Sequence, residues 1–516
     1  MEKFSTELYA DYTNEKVLEL QRNEIAKVKA QLGKEYPNII DGKEVYTDKK
    51  TRSINPGNLD EVIGVFQRGG RKEADEAIAA ADKAFNTWKF VPAAERADYL
   101  FRAAEVVRQR KAEIIAWMVM EEGKSYIEAD GDISEGVDFL EYYGRQALRL
   151  AEKQPVNDWP GEENNYFFIP LGVGLIIPPW NFAFSIMVGM TAAAIVCGNT
   201  VVLKPSSDGP MMAWIFYNIM KDLGLPNGVI NFLVASGSET GDYLVEHPRT
   251  RFISFTGSME VGLRINELAA KKMPGQIWIK RVVAEMGGKD TIIVDSEADV
   301  AEAAKGVCTS AYGFQGQKCS ACSRAVVDEK VYDKFVELLK KEVEKLKVGL
   351  PENNFYMGPV INSASEKKVL EYIEIGKKEG KLLIGGNKVA NLNGYYIEPT
   401  VFIDIDPMAR LSQEEIFGPV LSVIKSKDYD DSLKIANNTQ YGLTGAVYTL
   451  NEAKLDRAVK EFHVGNLYLN RKCTGAFVGV QPFGGFNMSG TDSKAGSQDY
   501  LLLFCQGKSV AKKIIK

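Results

Sequence analysis

The sequence predicts an α/β protein of two doubly wound domains with a small additional β element, and three observations carry that reading. The 516 residues are too many for one hydrophobic core. From Gly172 onward, short apolar runs alternate with helical spacing through short connections, which is the pattern of a covered parallel sheet. A second alternating block runs from 298 to about 470, so two α/β domains with a cleft between them are expected.

The elements follow in order. Residues 5–33 carry helical spacing in Val17, Leu18, Leu20, Ile25, Val28 and Leu32 and read as an N-terminal helical arm; a loosely docked terminus is the alternative. Helices are expected near 72–87, 92–122 and 135–152. From Asn164 to Leu203 there is no Asp, Glu, Lys or Arg, long enough to suggest a membrane helix. Pro170, Pro178, Pro179, Trp180 and Asn181 interrupt it, so 172–177 reads as a buried strand and 184–197 as a buried helix. Further strands are expected at 199–204, 229–233, 251–255 and 290–294, with a helix at 258–270. The second block offers helix 329–346, strand 418–426 and helix 430–437. The tail, 500–505 and 509–515, is apolar and β-prone enough for an edge strand that pairs with another subunit, so a homo-oligomer is expected.

Composition excludes several classes. A net charge of −6 without a basic stripe argues against nucleic-acid or anionic-membrane partners. Only His247 and His463 exist, which argues against a His-based triad and against a metal site. The first residues hold no apolar signal region, so a cytoplasmic location is expected. Cysteines 197, 308, 319, 322, 473 and 505 are too sparse for a disulfide framework. Cys319 and Cys322 form a lone CxxC; Cys322 reads as a packing residue, the alternative being an oxidative Cys319–Cys322 bond that switches activity off.

Three residues suggest covalent chemistry. Cys319 lies on a glycine-hinged turn, Phe314-Gln315-Gly316-Gln317-Lys318-Cys319-Ser320, where a thiolate would attack an aldehyde carbon on the way to a thioester; a buried small residue is the plain alternative. Glu285, at the end of an apolar segment and before Gly287-Gly288, would activate water for hydrolysis, or would be a salt-bridged surface Glu. Asn181, between a buried strand and a helix, would donate to an oxyanion, or would be an N-cap. The loops Phe255-Thr256-Gly257-Ser258 and Gly237-Ser238-Glu239-Thr240-Gly241 each follow a strand. Either would set a helix start near a pyrophosphate, or would be an ordinary turn, and neither completes GxGxxG. Lys204 ends a strand, where it would meet a ribose or phosphate unless it is a solvated loop lysine.

Together these segments resemble the aldehyde dehydrogenase superfamily over about 37–510. The motifs are Pro179-Trp180-Asn181-Phe182, Lys204-Pro205-Ser206, Phe255-Thr256-Gly257-Ser258, Glu285-Met286-Gly287-Gly288-Lys289, Gly316-Gln317-Lys318-Cys319, Glu414-Glu415-Ile416-Phe417-Gly418-Pro419 and Pro482-Phe483-Gly484-Gly485-Phe486. The resemblance implies that Cys319 is the nucleophile, that Asn181 and the Cys319 N–H form the oxyanion hole, and that Glu285 activates the deacylating water. It makes Lys204 and Glu415 ribose ligands, and Trp180, Ser207, Gly237, Gly241, Phe255, Ser258 and Phe417 cofactor contacts. Strict NAD-type members place Glu where Ser207 stands, so NAD is implied with NADP tolerated.

The subgroup resembled is the 1-pyrroline-5-carboxylate dehydrogenases, through Ser320, Thr474-Gly475-Ala476 and the long N-terminal arm. This implies that Ser320 and the Gly475 and Ala476 N–H groups hold a substrate α-carboxylate. Phe182 and Phe483 would flank its chain, and Glu135 would pair with Lys318 and sense the ammonium. The implied activity is NAD-dependent oxidation of L-glutamate γ-semialdehyde to L-glutamate in proline or arginine breakdown, with any proline dehydrogenase on a separate chain. Another semialdehyde such as succinate semialdehyde, or a silent scaffold on this fold, are the alternatives. Implied divisions are 1–152 (helical arm and first part of the NAD-binding domain), 153–171 (oligomerisation hairpin), 172–286 (main Rossmann-like block), 287–492 (catalytic domain) and 493–516 (oligomerisation strand).

Overall fold

The computed structural model describes residues 3–515; Met1, Glu2 and Lys516, outermost in the two terminal segments discussed above, lie outside it. Two seven-stranded sheets organise the chain. The first runs Arg281–Glu285, Phe252–Thr256, Val173–Ile177, Thr200–Leu203, Ile230–Phe232, Asn38–Ile40, Lys43–Val45. Its first five strands are parallel, and the last two are antiparallel additions. From Val173–Ile177 the chain winds outward one way, then returns and winds the other. The strand order therefore reverses between Val173–Ile177 and Phe252–Thr256, leaving a crevice at their carboxyl ends.

The second sheet runs Lys381–Ile384, Thr400–Ile403, Val420–Ser426, Cys322–Asp328, Asp290–Val294, Thr444–Tyr448, Asn466–Leu469, all parallel except the first. Helices cover both faces, which is why the strands read as unbroken apolar runs: Ile292, Ile293 and Val294 are all fully buried. The charge-free stretch resolves into the buried strand Val173–Ile177 and the helix Ser185–Val196, buried on almost every side. No helix among the described residues is long and apolar enough to cross a membrane.

Four expectations change. The segment expected as one helix at 92–122 is two, Ala93–Gln109 and Lys111–Glu122, broken at Arg110, whose φ of −101° and ψ of 10° leave the helical region. The helix expected at 135–152 starts at Tyr126. Its first turns hold Gly131, Gly136 and several acids, poor helix formers in isolation, but packing overrides propensity. A Cβ on Gly136 would come within 2.5 Å of the Phe184 ring, so glycine permits close approach to helix Ser185–Val196. The segment 153–171 forms no hairpin: Glu162–Pro170 pairs antiparallel with Cys505–Lys513, and Tyr500–Phe504 is a 3₁₀ turn rather than strand. Short strands before residue 172, among them Lys34–Tyr36, Lys50–Ile54 and Val62–Gln67, carry too few residues to show a period.

The N-terminal arm is docked. Asp138 accepts from the Glu7 N–H at 2.8 Å and Asp130 from the Ala10 N–H at 2.7 Å. Helix Glu15–Lys29 then buries Ile25 and Val28, with Asn14 capping its start.

Candidate active site

The turn that carries Cys319 is built on strained backbone. Phe314, Gln315 and Gly316 follow one another at φ of 49°, 57° and 69°. For the two non-glycine residues the left-handed region costs on the order of 1 kcal/mol each, so surrounding contacts must hold it. The Phe314 ring is fully buried. Gln315 donates from Nε2 to the carbonyls of Pro359 (2.8 Å) and Gly123 (3.2 Å). At Gly316 a Cβ would lie 2.4 Å from the Gly418 carbonyl oxygen, so glycine is required there. Gln317 then accepts from the Ile361 N–H through Oε1 at 2.9 Å.

Asn181 is brought to this turn from the first sheet. It follows Val173–Ile177, and its side-chain Nδ2 donates to the Gln317 carbonyl at 3.0 Å in a buried contact. An amide nitrogen carries two hydrogens, so one fixes the group and the other stays available to an oxyanion. Glu285 ends strand Arg281–Glu285. The Ser493 hydroxyl donates to its Oε1 at 2.5 Å, while the buried Oε2 has no hydrogen-bond partner. Burial pushes this carboxyl up to about 7, which poises it as a base near neutral pH. Burial, then the carboxylates of Asp290, Glu285 and Glu415, hold the Cys319 thiol well above its usual range.

Cys319, Ser320 and Glu285 share a cavity of about 250 Å³ with Phe182, Phe483, Gly475 and Ala476. Lys318 and Glu135 line it as well, but they do not pair. The Lys318 ammonium meets Glu128 at 2.6 Å instead. Glu128 and Glu135 lie seven residues apart, two turns along one helix face. The resemblance implied the pairing with Glu135, and the structure gives it to Glu128. Burial pushes Glu128 up, but the Lys318 ammonium outweighs it and the carboxyl sits below its usual range. Glu135, without that cation, is pushed up to about 7 by burial. Among the lining residues that the sequence did not reveal are Lys472, beside the glycine loop, and Tyr9, carried in by the N-terminal arm. Neither sits in a motif, and only the tertiary docking of the arm exposes Tyr9's role as a wall.

A second set of residues gathers at the carboxyl ends of the first sheet. Lys204 follows strand Thr200–Leu203 and is 5% exposed. Burial alone brings its ammonium down to about 8, with no acid compensating it, so it suits an uncharged or anionic hydroxyl-rich partner. A Cβ on Gly241 would lie 3.5 Å from the Lys204 side chain, and around Gly237 the space is open. Ser207 is half-buried beside them. Ser258 caps helix Met259–Ala270, accepting from the Val261 N–H at 3.4 Å. The ring of Phe255 lies in the core beneath Gly257 and Gly262, so its side chain supports this loop from below.

Glu415 and Phe417 reach over from the second sheet. Glu415 accepts from the Gly288 N–H at 3.1 Å, and Phe417, at φ 61°, meets Trp180 edge-on at 5.6 Å. All six cysteines are free. Cys322 is buried at the start of its strand and donates to the Arg324 carbonyl at 3.4 Å, as expected of a packing thiol.

The family model "Aldehyde dehydrogenase family" matches residues 44–510. The chain belongs to the aldehyde dehydrogenase family. Within it, the chain is 55% identical over 513 residues to a 1-pyrroline-5-carboxylate dehydrogenase of Geobacillus thermodenitrificans, covering 99% of each. It is 52% identical over 510 residues to 1-pyrroline-5-carboxylate dehydrogenase 2 of Bacillus subtilis, again covering 99% of each. Among solved structures, a 1-pyrroline-5-carboxylate dehydrogenase from Thermus with bound NAD superposes at TM-score 0.98 with 49% identity, covering 99% of both chains. Proline utilization A from Bdellovibrio bacteriovorus superposes at 0.98 with 41% identity, covering all of this chain and 54% of that one.

Proposed function

We propose that this aldehyde dehydrogenase oxidises L-glutamate γ-semialdehyde, the open form of 1-pyrroline-5-carboxylate, to L-glutamate with NAD. The carrying observation is one cavity lined by Cys319 and Glu285 together with Ser320, Gly475, Ala476 and the Lys318–Glu128 pair. The relatives' names support the same substrate.

The dinucleotide fits the first sheet's crevice: Lys204 is a buried cation lacking an acid, and the Gly237 loop leaves open space beside it. Lys204 and Glu415 would hold ribose hydroxyls, with Trp180, Ser207, Gly241, Ser258 and Phe417 around them and Phe255 beneath. When bound, the nicotinamide supplies the hydride acceptor. Ser207 brings no negative charge toward a 2′-phosphate, so NADP is tolerated.

In the reaction, Cys319 gives up its proton to solvent, against the burial and neighbouring carboxylates that hold the thiol high, and the thiolate adds to the aldehyde carbon to form a hemithioacetal. The second Asn181 N–H and the Cys319 backbone N–H stabilise the oxygen anion. After oxidation leaves a thioester on Cys319, Glu285 takes a proton from water. The resulting hydroxide displaces the thiolate and releases L-glutamate. The unpartnered Oε2 of Glu285 is the natural seat for that water. Ser320 and the Gly475 and Ala476 N–H groups receive the α-carboxylate, Phe182 and Phe483 flank the chain, and Glu128 with Glu135 faces the ammonium.

We infer further that copies assemble through the sheet formed by Glu162–Pro170 and Cys505–Lys513, whose outer residues are exposed. A proline dehydrogenase is the source of its substrate, a reading supported by the likeness to proline utilization A.

NADH formation tests the substrate. A kcat/KM for 1-pyrroline-5-carboxylate about a hundredfold or more above those for succinate semialdehyde and propanal is expected, because a site built to pair polar groups rejects analogues that lack them. Equal values would withdraw the roles of Ser320, Gly475 and Ala476.

A further inference from the structure

Lys124 lies outside every motif discussed above, yet it is fully buried between the two loops on which the chemistry depends. It follows Gly123, the left-handed residue that ends helix Lys111–Glu122. Its ammonium meets Asp132 at 2.5 Å and Glu122 at 3.1 Å, so the charge is compensated. Asp132 in turn accepts through Oδ1 from the Ser185 N–H at 2.7 Å, anchoring the start of helix Ser185–Val196 just beyond Asn181 and Phe182.

The same ammonium stands 4.8 Å from the centroid of the Phe182 ring and 4.8 Å from that of Phe314. Both distances lie within the range of cation–π attraction, which strengthens on desolvation. Phe182 belongs to the Asn181 loop and lines the substrate cavity. Phe314 is the first of the three left-handed residues that lead to Cys319. The neighbouring Gly123 carbonyl accepts from Gln315 of that same strained turn. One short segment thus grips the oxyanion loop and the nucleophile turn together. The 3.0 Å contact between Asn181 and the Gln317 carbonyl shows the register that grip maintains.

We propose that Lys124 is a positioning residue for the acylation step: its buried ammonium, set between Phe182 and Phe314, holds the Asn181 loop and the Cys319 turn in register. This rests on the assignment of Cys319 as nucleophile. A clamp of this kind acts on the rate at which the thioester forms. The ribose ligands Lys204 and Glu415 and the water step at Glu285 depend on other elements; of the cofactor contacts only Trp180, whose ring meets Phe314, lies in the gripped loop.

The test is rapid-mixing measurement of the first-turnover NADH burst in the full-length protein, with 1-pyrroline-5-carboxylate or whichever aldehyde it turns over best. Variants are Lys124→Met and Phe314→Leu, the second removing one face of the clamp without leaving Asp132 unpaired. Lys124→Met should slow the burst rate constant about a hundredfold, the scale of a misplaced reactive group. Phe314→Leu should slow it about tenfold. NAD affinity should stay within about threefold in both, since the ribose and phosphate contacts are untouched.

A merely structural role would reduce burst amplitude, through fewer folded sites, while keeping the wild-type rate constant; that result overturns the proposal. If Lys124→Met does not fold, Phe314→Leu decides alone, and a wild-type burst rate in it is equally contrary. Cys319→Ala keeps the two claims apart. A burst persisting there removes the nucleophile assignment, whereas wild-type burst rates in the clamp variants beside a dead Cys319→Ala remove only the clamp.

Discussion

The two seven-stranded sheets resemble each other in layout but differ in how they present functional groups. The first offers its residues from regular strand ends: Lys204 after Thr200–Leu203, Ser258 capping the helix after Phe252–Thr256, Glu285 closing its own strand. The second offers Cys319 and Phe417 from backbone forced into the left-handed region, at Phe314, Gln315, Gly316 and Phe417 itself. Regular strand ends suffice to bind a ligand in the crevice and to hold Glu285, which takes its proton from mobile water. A nucleophile must sit within fractions of an ångström of its target, and strain held by buried contacts provides that fixity.

The comparison can be broken at its strongest point first. Cys319→Ala should lower NADH formation by about 10⁴-fold or more, as deletion of a covalent nucleophile does, while NAD still binds by fluorescence titration. Substantial residual turnover would mean that the strained turn serves something other than a nucleophile.

Glu285→Gln should lower steady-state turnover by about 10²–10³-fold while leaving a first-turnover burst. The pH profile sharpens this. Glu285 accepts a proton only when ionised, and burial pushes its carboxyl up to about 7. Where deacylation limits the rate, kcat should therefore fall as pH drops below about 7, and Glu285→Gln should flatten that limb. An unchanged limb would assign it to another group.

At the cofactor residues of the first sheet the effects should be smaller and confined to the cofactor. Lys204→Met should raise KM for NAD by about tenfold with kcat nearly kept, because it removes hydrogen bonds from a charged donor. A collapse of kcat would show that Lys204 also tunes the reaction. Smallest, Ser207→Glu should weaken NADP by several-fold relative to NAD, through like-charge repulsion. Equal effects on both cofactors would place the 2′ position elsewhere.

The legibility of the sequence follows the same division. Val173–Ile177, Thr200–Leu203 and Asp290–Val294 were readable because covered strands are continuous apolar runs. Helices such as Met259–Ala270 showed through their spacing. The break at Arg110 was hidden because alanine-rich helical spacing continues across it. The early start at Tyr126 was hidden because Gly131, between Asp130 and Asp132, looks helix-breaking in isolation. The pairing of Lys318 with Glu135 came from the resemblance alone, and the structure gives it to Glu128, two turns earlier on the same helix. Cys319, Glu285 and Asn181 stand out through resemblance to a family, not through periodicity, and the left-handed turn behind Cys319 has no sequence signature beyond Gly316. Lys124 has none at all, since burial of a lysine is visible only in three dimensions.

The most direct test of the covalent account is the mass of the Glu285→Gln protein after mixing with 1-pyrroline-5-carboxylate and NAD. With deacylation blocked, the account predicts a rise equal to one glutamyl group per chain, mapped by peptide analysis to Cys319. NADH produced with Cys319 unmodified at every time point would contradict it.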